Sequence, residues 1–236
     1  GFSDIDGFPV AFNPEAEYYL NTVFDDELKK SNRKTYQQMI FEICHLPWEN
    51  QEIKIVISEK SKDNIENFLK ENNLNGKKIL GLNIGSSKRW PSKAWHPERL
   101  KEFIKKVKEK DYEVILLGGP DEIESMENLK NELEIDGIKV YSKNTSNSLK
   151  DFFALVNICD KILCADTLAA HISIGLKKTT IELFFCTPEW EIESYGHVKK
   201  ITSPLLWDFF PHRMDEYNEE LVKSISVNEV LEAIEN

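Results

Sequence analysis

The stretch KILCADTLAAHISIG, residues 161 to 175, starts as a short apolar run and continues as a segment of small residues with helical spacing. A strand that leads directly into a helix is the repeating unit of α/β proteins. Asp166 and Thr167 stand at the junction, and His171 follows four residues after Thr167. The stretch therefore predicts a fold class and, at the end of the strand, a polar site.

The same alternation of strand and helix recurs from residue 76 onward. The runs KKILGLNIG, YEVILLGG, GIKVYS, DKILCA and TIELFF are short and rich in β-branched and aromatic residues. Helices are predicted at 96–109, 120–134, 147–157 and 166–175. This rhythm predicts an α/β fold with a Rossmann-like parallel sheet, right-handed crossovers and helices on both faces.

The first 75 residues have a different character, punctuated by proline and asparagine. NPEAEYYLNTVFDDELKK (13–30) and TYQQMIFEICHL (35–46) have helical patterns, whereas EIKIVIS (52–58) alternates as a strand does. The change of pattern near residue 76 indicates a boundary between two parts of the chain.

Composition limits the function classes. With 41% hydrophobic residues among 236, the chain can bury the core of one or two domains. A net charge of −11 disfavours a duplex nucleic-acid binder, which needs a dense cationic face. Cys44, Cys159, Cys164 and Cys186 lie in apolar runs without C-x-x-C spacing, which predicts buried thiols rather than disulfides or zinc ligands. Because the sequence also lacks a signal-peptide pattern and a long apolar stretch, we expect a cytoplasmic protein.

The loop after the first predicted strand, GSSKRWPSKAW (85–95), is one candidate site, because ligands of parallel sheets bind outside the carboxyl ends of the strands. Gly85 permits an unusual backbone angle or a close approach, Ser86 and Ser87 offer hydroxyls, and Lys88 brings charge ahead of a helix. The loop is a candidate diphosphate cradle. The alternative is a polar turn with solvated cations and Trp90 packed in the core.

The loop after the second predicted strand, GGPDEIES (118–125), contains Glu122. An ionised carboxylate there can accept hydrogen bonds from the vicinal hydroxyls of a ribose. The alternative is a Gly-Gly turn whose carboxylate favours the helix dipole.

The loop after the fourth predicted strand holds Asp166, Thr167 and His171. Asp166 occupies a position suited to an N-cap; as a ligand contact it should meet sugar hydroxyls, since a carboxylate repels a diphosphate. Thr167 and the free N–H groups of the first helical turn then remain for phosphate oxygens. His171, on the same helical face as Thr167, either donates to a phosphate or packs in the core.

Together these loops resemble glycosyltransferase family 9, whose best-known members are the ADP-heptose:lipopolysaccharide heptosyltransferases. The resemblance rests on LNIGSSKRWPSKAWHPERLKEFI, then YEVILLGGPDE, then CADTLAAHISIGLKKTTIELFFCTPEW. These match the family's G-[ST]-rich loop with K-x-W-P, its G-x-x-x-E and its D-T-G-x-x-H helix start. The order and spacing of the motifs are specific, and the resemblance covers about residues 76 to 202 closely and the helices from 14 to 45 more loosely.

The resemblance implies the two-Rossmann glycosyltransferase B-type fold and an inverting transferase that uses no metal and no cofactor. The donor is an ADP-sugar and the acceptor a lipopolysaccharide core or related glycan, which also implies peripheral contact with the inner membrane. By the family's motifs, Ser86, Ser87 and Lys88 bind the diphosphate and Glu122 holds the nucleoside. Asp166, Thr167 and His171 hold the phosphates and the transferred sugar. A metal-free mechanism agrees with the lack of a D-x-D pair in the strand-end loops.

Two positions depart from the family pattern. Leu168 replaces the family's glycine, and Phe185 and Cys186 stand where the pattern usually has Gly-Pro. A side chain at 168 narrows the space for a close approach of sugar or phosphate to the backbone.

The resemblance divides the chain into three parts. Residues 1–75 are interpreted as the remnant of an acceptor-side N-terminal domain with a linker, 76–202 as the nucleotide-sugar donor-binding domain, and 203–236 as a C-terminal segment with a helix. The N-terminal domain is expected to be incomplete, so the general base is expected in its missing part. Asp4 and Asp6 are interpreted as solvated turn residues. This chain alone is then expected to bind donor without transferring sugar.

Two other functions stay open on the sequence. One is a nucleotide-sugar binding module without catalysis, which Leu168 favours. The other is a different enzyme of the same B-type fold, such as a sugar-nucleotide epimerase.

Overall fold

Six parallel strands form the centre of the protein, seen in a computed structural model that describes residues 1–86, 88–143 and 148–235. An antiparallel hairpin, β1 (Phe2–Ile5) and β2 (Phe8–Ala11), precedes them. The strands of the central sheet are β3 (Lys78–Asn83), β4 (Tyr112–Leu117), β5 (Tyr141–Ser142), β6 (Lys161–Ala165), β7 (Thr179–Phe184) and β8 (Val198–Thr202). Their order across the sheet is β5-β4-β3-β6-β7-β8. This is the doubly wound order, which reverses direction between β3 and β6.

Eleven α-helices surround the sheet within the described residues. Those before and between the first strands are α1 (Pro14–Phe24), α2 (Asp26–Ser31), α3 (Tyr36–Ile43), α4 (Glu59–Glu71), α5 (Pro97–Lys108) and α6 (Ile123–Ile135). The remainder are α7 (Leu149–Asn157), α8 (Leu168–Gly175), α9 (Leu206–Phe209), α10 (Glu219–Lys223) and α11 (Val227–Glu235). None of these helices combines the length and the apolar character needed to cross a membrane.

Two apolar cores lie on opposite faces of the sheet. Alternation along β3 directs Leu80 and Leu82 into one core and Ile79 into the other. The first core receives residues of α5, α6 and α11, and the second receives residues of α4, α7 and α8. The predicted parallel sheet with helices on both faces is therefore confirmed. Helices from both sides of 76 and 202 join these cores, and the domain boundaries stay a prediction.

The predicted strand at 52–58 is wrong. Residues 51–58 form no strand, although they are extended enough to alternate their side chains. Ile53 and Ile55 pack on α8 instead, so closely that a Cβ on Gly175 would lie 2.7 Å from Ile55 Cδ1. The alternation of buried and exposed side chains arises from packing against a helix and not from pairing in a sheet.

Other predicted elements changed in detail. The helix predicted at 13–30 breaks at Asp25, whose extended backbone ends α1 and whose carboxylate caps α2 by accepting from Leu28 N at 3.0 Å. The helix predicted from 147 begins at Leu149, because Ser148 is its N-cap and the Ser148 hydroxyl accepts from Asp151 N at 3.2 Å. Residues 144–147 lie outside the described part of the chain. Three cysteines are buried as predicted, but Cys44, at the end of α3, is exposed.

Asp4 and Asp6 lie in the β1–β2 hairpin. Asp6 and Gly7 have φ of 54° and 85°, the left-handed pair of a tight hairpin turn, and the Asp4 carboxylate accepts from Gly7 N at 3.0 Å. Asp6 is therefore a turn residue, as the sequence indicated, whereas Asp4 lies in β1 and contacts the turn only through its side chain.

Candidate functional site

The candidate site lies at the carboxyl edge of the sheet, where the strand order reverses between β3 and β6. Asn83 ends β3 and Thr167 follows β6, and the Thr167 hydroxyl donates to Asn83 Oδ1 at 3.1 Å. The Asn83 amide in turn donates to the Leu117 carbonyl, the last residue of β4, at 3.1 Å. One asparagine thus links the ends of three adjacent strands and fixes the floor of the site.

Asp166 forms an ion pair with Lys93, which the sequence did not single out. Lys93 Nζ lies 2.5 Å from Asp166 Oδ2, and only 12% and 11% of the two side chains are exposed. The same carboxylate oxygen accepts a hydrogen bond from the Thr187 hydroxyl at 3.0 Å. Two donors on different loops therefore hold the Asp166 carboxylate in one orientation.

Of the two alternatives for Asp166, the N-cap of α8 is wrong. The N-cap is Thr167, with extended backbone angles of −143° and 177°, and its hydroxyl bonds Asn83 and not the helix. The Asp166 and Thr167 side chains, which precede the helix, thus bond residues of neighbouring elements. The first backbone N–H groups of α8 are left without a side-chain cap, as in helix starts that receive anions.

Glu122 lies against the loop that follows β3. Its carboxylate accepts from the backbone N–H of Gly119 at 2.7 Å, which closes the turn at Pro120–Glu122. Its side chain also packs on Gly85, where an added Cβ would lie 2.2 Å from Glu122 Cγ. Gly85 therefore serves a close approach, one of its two predicted uses, and not a positive φ. The helix-dipole alternative for Glu122 holds in part, because the residue does cap its own turn.

The predicted diphosphate loop is only partly described. The Ser86 hydroxyl donates to the Trp90 carbonyl at 3.2 Å, which braces the turn. Ser87 lies outside the described residues. Lys88 is 84% exposed and lies 3.4 Å from Asp121, also exposed, at the mouth of the site. Trp90 is half-buried: it lines the site and also packs against a small buried cluster, so the core-anchor alternative holds in part.

These side chains surround one cavity of about 530 Å³. Its polar wall contains Asn83, Ser86, Lys93, Glu122, Asp166 and Thr167. Its apolar wall contains Trp90, Pro120, Leu149, Phe152 and Leu168. A cavity of this size, mostly apolar with a few polar groups on one side, has the form of a small-molecule site.

Lys88 and His171 do not line this cavity. Lys88 lines a neighbouring cavity of about 370 Å³ that shares Gly85, Ser86 and Glu122 with the first. His171 is half-buried in α8, and burial lowers the pKa of its imidazole, so the ring is neutral near pH 7. In this arrangement His171 offers a neutral donor or acceptor and no positive charge.

Leu168, the departure from the family glycine, is 57% exposed and lines the cavity. Phe185 and Cys186, the other departures, are buried in the core. The first departure therefore concerns the site directly, and the other two concern the packing beneath it.

Two buried acids, Glu182 and Glu191, lie near the ion pair of Lys93 and Asp166. Glu182 of β7 is fully buried, and its two oxygens have no hydrogen-bond partner within the described residues. Burial, followed by the charge of Asp166, raises the pKa of Glu182 to about 8. Burial also raises the pKa of Glu191 to about 7. Both values place these acids partly or mostly in the neutral form at pH 7.

The sequence missed Asn83, Lys93 and Thr187. Asn83 ends a predicted strand and Thr187 follows one, so the rule that ligands bind beyond strand ends had already marked their positions. Lys93 lies eight residues beyond Gly85 in the same loop, and no feature of the local sequence predicts its pairing with Asp166.

Comparison with known proteins agrees with this geometry. The profile of glycosyltransferase family 9 (heptosyltransferase) matches residues 19–209. A search of curated proteins found no match. A glycosyl transferase family 9 structure from Veillonella parvula DSM 2008 has 19% identity and a TM-score of 0.72, over 87% of this chain and 60% of that one.

Two further structures are similar. E. coli ADP-heptose lps heptosyltransferase II has 18% identity and a TM-score of 0.64, over 82% of this chain and 55% of that one. E. coli heptosyltransferase WaaC with ADP-2-deoxy-2-fluoro heptose has 14% identity and a TM-score of 0.54, over 84% and 53%. At these identities the likeness concerns the fold, a B-type glycosyltransferase architecture. The chain spans about half to three-fifths of the length of these proteins.

Because the profile extends over most of the chain, from residue 19 to residue 209, this protein belongs to glycosyltransferase family 9.

Proposed function

We propose that this chain forms the donor-binding part of a heptosyltransferase-type glycosyltransferase. The donor is an ADP-sugar, with heptose as the transferred sugar, and the acceptor is a lipopolysaccharide core or a related glycan. Family membership supports transfer of a sugar. ADP-heptose and lps appear in the names of similar structures, and we extend them to this chain on the geometry of its cavity.

The observation that carries the proposal is the order of residues along the cavity. Leu149 and Phe152 follow β5, Glu122 follows β4, Ser86 follows β3, and Asp166 follows β6. Because these strands are neighbours in the sheet in that order, the four groups form a row. Three strand spacings of about 4.8 Å extend over about 14 Å, comparable with an extended nucleotide sugar.

From one end of the row to the other, the groups suit the successive parts of an ADP-sugar. Apolar Phe152 and Leu149 suit the flat adenine ring, and the Glu122 carboxylate suits the ribose hydroxyls. The Ser86 hydroxyl and the first N–H groups of α8 suit the diphosphate. Asp166 then meets the hydroxyls of the sugar. Lys88, which lines the neighbouring cavity, remains a proposed diphosphate contact that requires its side chain to turn inward.

The transfer itself is proposed as a single displacement without metal or cofactor. The acceptor oxygen forms a bond to the anomeric carbon as the bond from that carbon to the diphosphate breaks, so the configuration inverts. The electron pair leaves with ADP, and a general base takes the acceptor proton. Lys88 and the N-terminus of α8 offset the charge that develops on the diphosphate, whereas the charge of Lys93 is already balanced by Asp166. We assign no residue of this chain as the base.

Calorimetric titration of the chain with ADP, in buffer with and without EDTA, tests the proposal. We expect saturable binding that the chelator leaves unchanged, tighter binding of ADP-heptose, and weaker binding of UDP and GDP. No binding of ADP, or binding lost with EDTA, would contradict it. Conversion of the nucleotide sugar without any acceptor, followed by NMR, would instead favour an epimerase.

A further inference from the structure

The loop after β7 connects the candidate site to a pair of stacked tryptophans. Thr187, which bonds Asp166, is followed three residues later by Trp190. The Trp190 ring stacks on Trp207 of α9, with ring centroids 5.6 Å apart and planes at 26°. The stack is therefore built on the same loop that orients Asp166.

A second route joins the stack to the donor cavity. Trp207 contacts Phe210 edge to face at 6.1 Å. Phe210 belongs to a small buried cluster with Leu206 and Met214, against which Trp90 packs. Trp90 also lines the donor cavity. The stack and the cavity are thus neighbouring parts of one edge of the sheet.

The two tryptophan side chains are not fully used in packing inside the protein. Trp207 is 48% exposed, a large aromatic surface to leave in water. The indole N–H of Trp190 is buried without a hydrogen-bond partner within the described residues. Exposed aromatic rings beside polar groups are typical of binding surfaces.

Positive charge accompanies the rings. The Arg33 guanidinium lies 4.2 Å from the centroid of the Trp190 ring, and Lys29 Nζ lies 5.8 Å from that of Phe210. Arg33 donates to the carbonyls of Lys30 and Asn32 and makes no ion pair within the described residues. An arginine held in this way retains its charge for an outside anion, although the chain as a whole carries −11.

We propose that Trp207, Trp190 and Arg33 form an acceptor subsite for an acidic glycan. One face of a sugar ring, formed by C–H groups, packs on the exposed ring of Trp207, and a carboxylate or phosphate of the same glycan pairs with Arg33. This inference rests on the proposed function, because it gives the sugar acceptor a place beside the donor. It adds to that function the residues of this chain that contact the acceptor.

The test is calorimetric titration of the full chain with the deacylated core oligosaccharide of E. coli lipopolysaccharide, an anionic glycan. Maltoheptaose serves as a neutral comparison. We expect Trp207→Ala and Arg33→Ala to weaken oligosaccharide binding about tenfold or more, as truncation of a central aromatic or arginine contact does. Trp207→Phe, which keeps an aromatic ring, should lose less, and ADP affinity should not change in any of them.

Trp48→Ala is the matched control, because Trp48 is also half-buried and contacts Phe41 outside this surface. It should leave oligosaccharide binding unchanged, and melting temperatures identify any variant that unfolds. The inference is overturned if the unaltered chain binds ADP but not the oligosaccharide, or if Trp207→Ala binds the oligosaccharide as the unaltered chain does. It is also overturned if Trp207→Ala changes only the molar mass in light scattering, which would make the stack a protein contact. Failure to bind ADP contradicts the proposed function instead.

Discussion

Lys93 and Asp166 are 73 residues apart in the chain, yet their side chains form a nearly buried ion pair at 2.5 Å. The pair connects the loop after β3 to the loop after β6, on the two sides of the point where strand order reverses. It therefore fixes the separation of the two loops between which the cavity opens. The site is preformed by this pair as well as by the Asn83 bridge.

Lys93→Met tests how much the ion pair contributes to the unfolding free energy. Removing one partner leaves the Asp166 charge with little water and no counterion, and such losses cost about 3 to 5 kcal/mol of unfolding free energy. Because about a tenth of each side chain is still exposed, we expect the lower end of that range. Urea denaturation provides the measurement.

Lys88→Ala is the matched control for stability, since Lys88 is 84% exposed and its pair with Asp121 is a surface contact. It should change the unfolding free energy by less than about 1 kcal/mol. Equal losses in the two variants would mean that the Lys93 pair does not support the site.

Lys88→Ala also tests the diphosphate contact predicted from the loop motif. If Lys88 turns inward onto the diphosphate, the variant loses one charge-assisted hydrogen bond and about 1.5 to 3 kcal/mol of ADP binding free energy. Adenosine, which lacks the diphosphate, should bind both forms equally. Unchanged ADP affinity in calorimetry would remove Lys88 from the site.

The fold was predictable because it depends on repeated local patterns. Each buried parallel strand is a short apolar run, and the helices between them have their own period, so KKILGLNIG and YEVILLGG were recognisable alone. β8 was missed because two of its five residues, Lys199 and Lys200, are lysines. Their ammonium groups donate to the carbonyls of Ala233, Glu189 and Ile192. The strand therefore looks polar in the sequence, although the fold provides hydrogen-bond partners for both lysines.

The site was predictable in position but not in its contacts. The rule for strand ends identifies the loops that contain Ser86, Glu122 and Asp166, because it depends only on the direction of the sheet. Which side chains then pair depends on distances across loops. Asp166 fits an N-cap by local sequence, and only the position of Lys93 in space gives its carboxylate a stronger partner.

Gly85→Ala tests the contact between the loops after β3 and β4. The added methyl group would lie 2.2 Å from Glu122 Cγ, so the Glu122 side chain must move away from the ribose position. We expect ADP affinity to fall about tenfold, the equivalent of one or two good hydrogen bonds. Glu122→Gln should weaken ADP binding in the same direction with no added volume.

A nucleotide without the vicinal hydroxyls separates this effect from general damage to the loop. In calorimetry, 2′,3′-dideoxyadenosine diphosphate should bind the unaltered chain and Glu122→Gln equally weakly. If Glu122→Gln weakens both nucleotides by the same factor, Glu122 does not bind the ribose.

Glu182 predicts a dependence of stability on pH. Its pKa of about 8 in the folded chain lies above the ordinary value of 4.5, so the folded state binds the proton more tightly than the unfolded state does. The unfolding free energy should therefore fall as pH rises from about 4.5 to about 8, by an amount on the order of a few kcal/mol. Glu182→Gln removes the part of this dependence that is due to Glu182, whereas Glu191, with a pKa of about 7, keeps its own part. The variant should match the unaltered chain near pH 5 and exceed its melting temperature at pH 8.5.

Burial sets the direction of this effect, and the charges around Glu182 change its size. Asp166 raises its pKa, while Lys200 and Lys93 lower it, and Lys200 of β8 is its register partner in the sheet. Glu134→Gln, on an exposed part of α6, removes the same charge without burial and is the control. An equal gain in both variants at pH 8.5 would reflect the net charge of the chain and not Glu182.

Asp166→Asn distinguishes a sugar ligand from a residue that only maintains the loops. The amide oxygen can still accept from Lys93 and Thr187, so the fold should persist, but the nearly buried Lys93 loses its counterion and the melting temperature should fall. A sugar hydroxyl loses its charged acceptor, and we expect ADP-heptose to bind about tenfold more weakly. Free ADP should bind as before or slightly more tightly, because the charge of Lys93 is no longer neutralised beside the diphosphate.

Thr187→Val, which frees the carboxylate from one of its two donors, should reduce ADP-heptose affinity to a smaller extent. Equal losses for ADP and ADP-heptose in Asp166→Asn would instead assign Asp166 to the phosphate end of the cavity, and no loss for either would leave it a purely structural partner of Lys93.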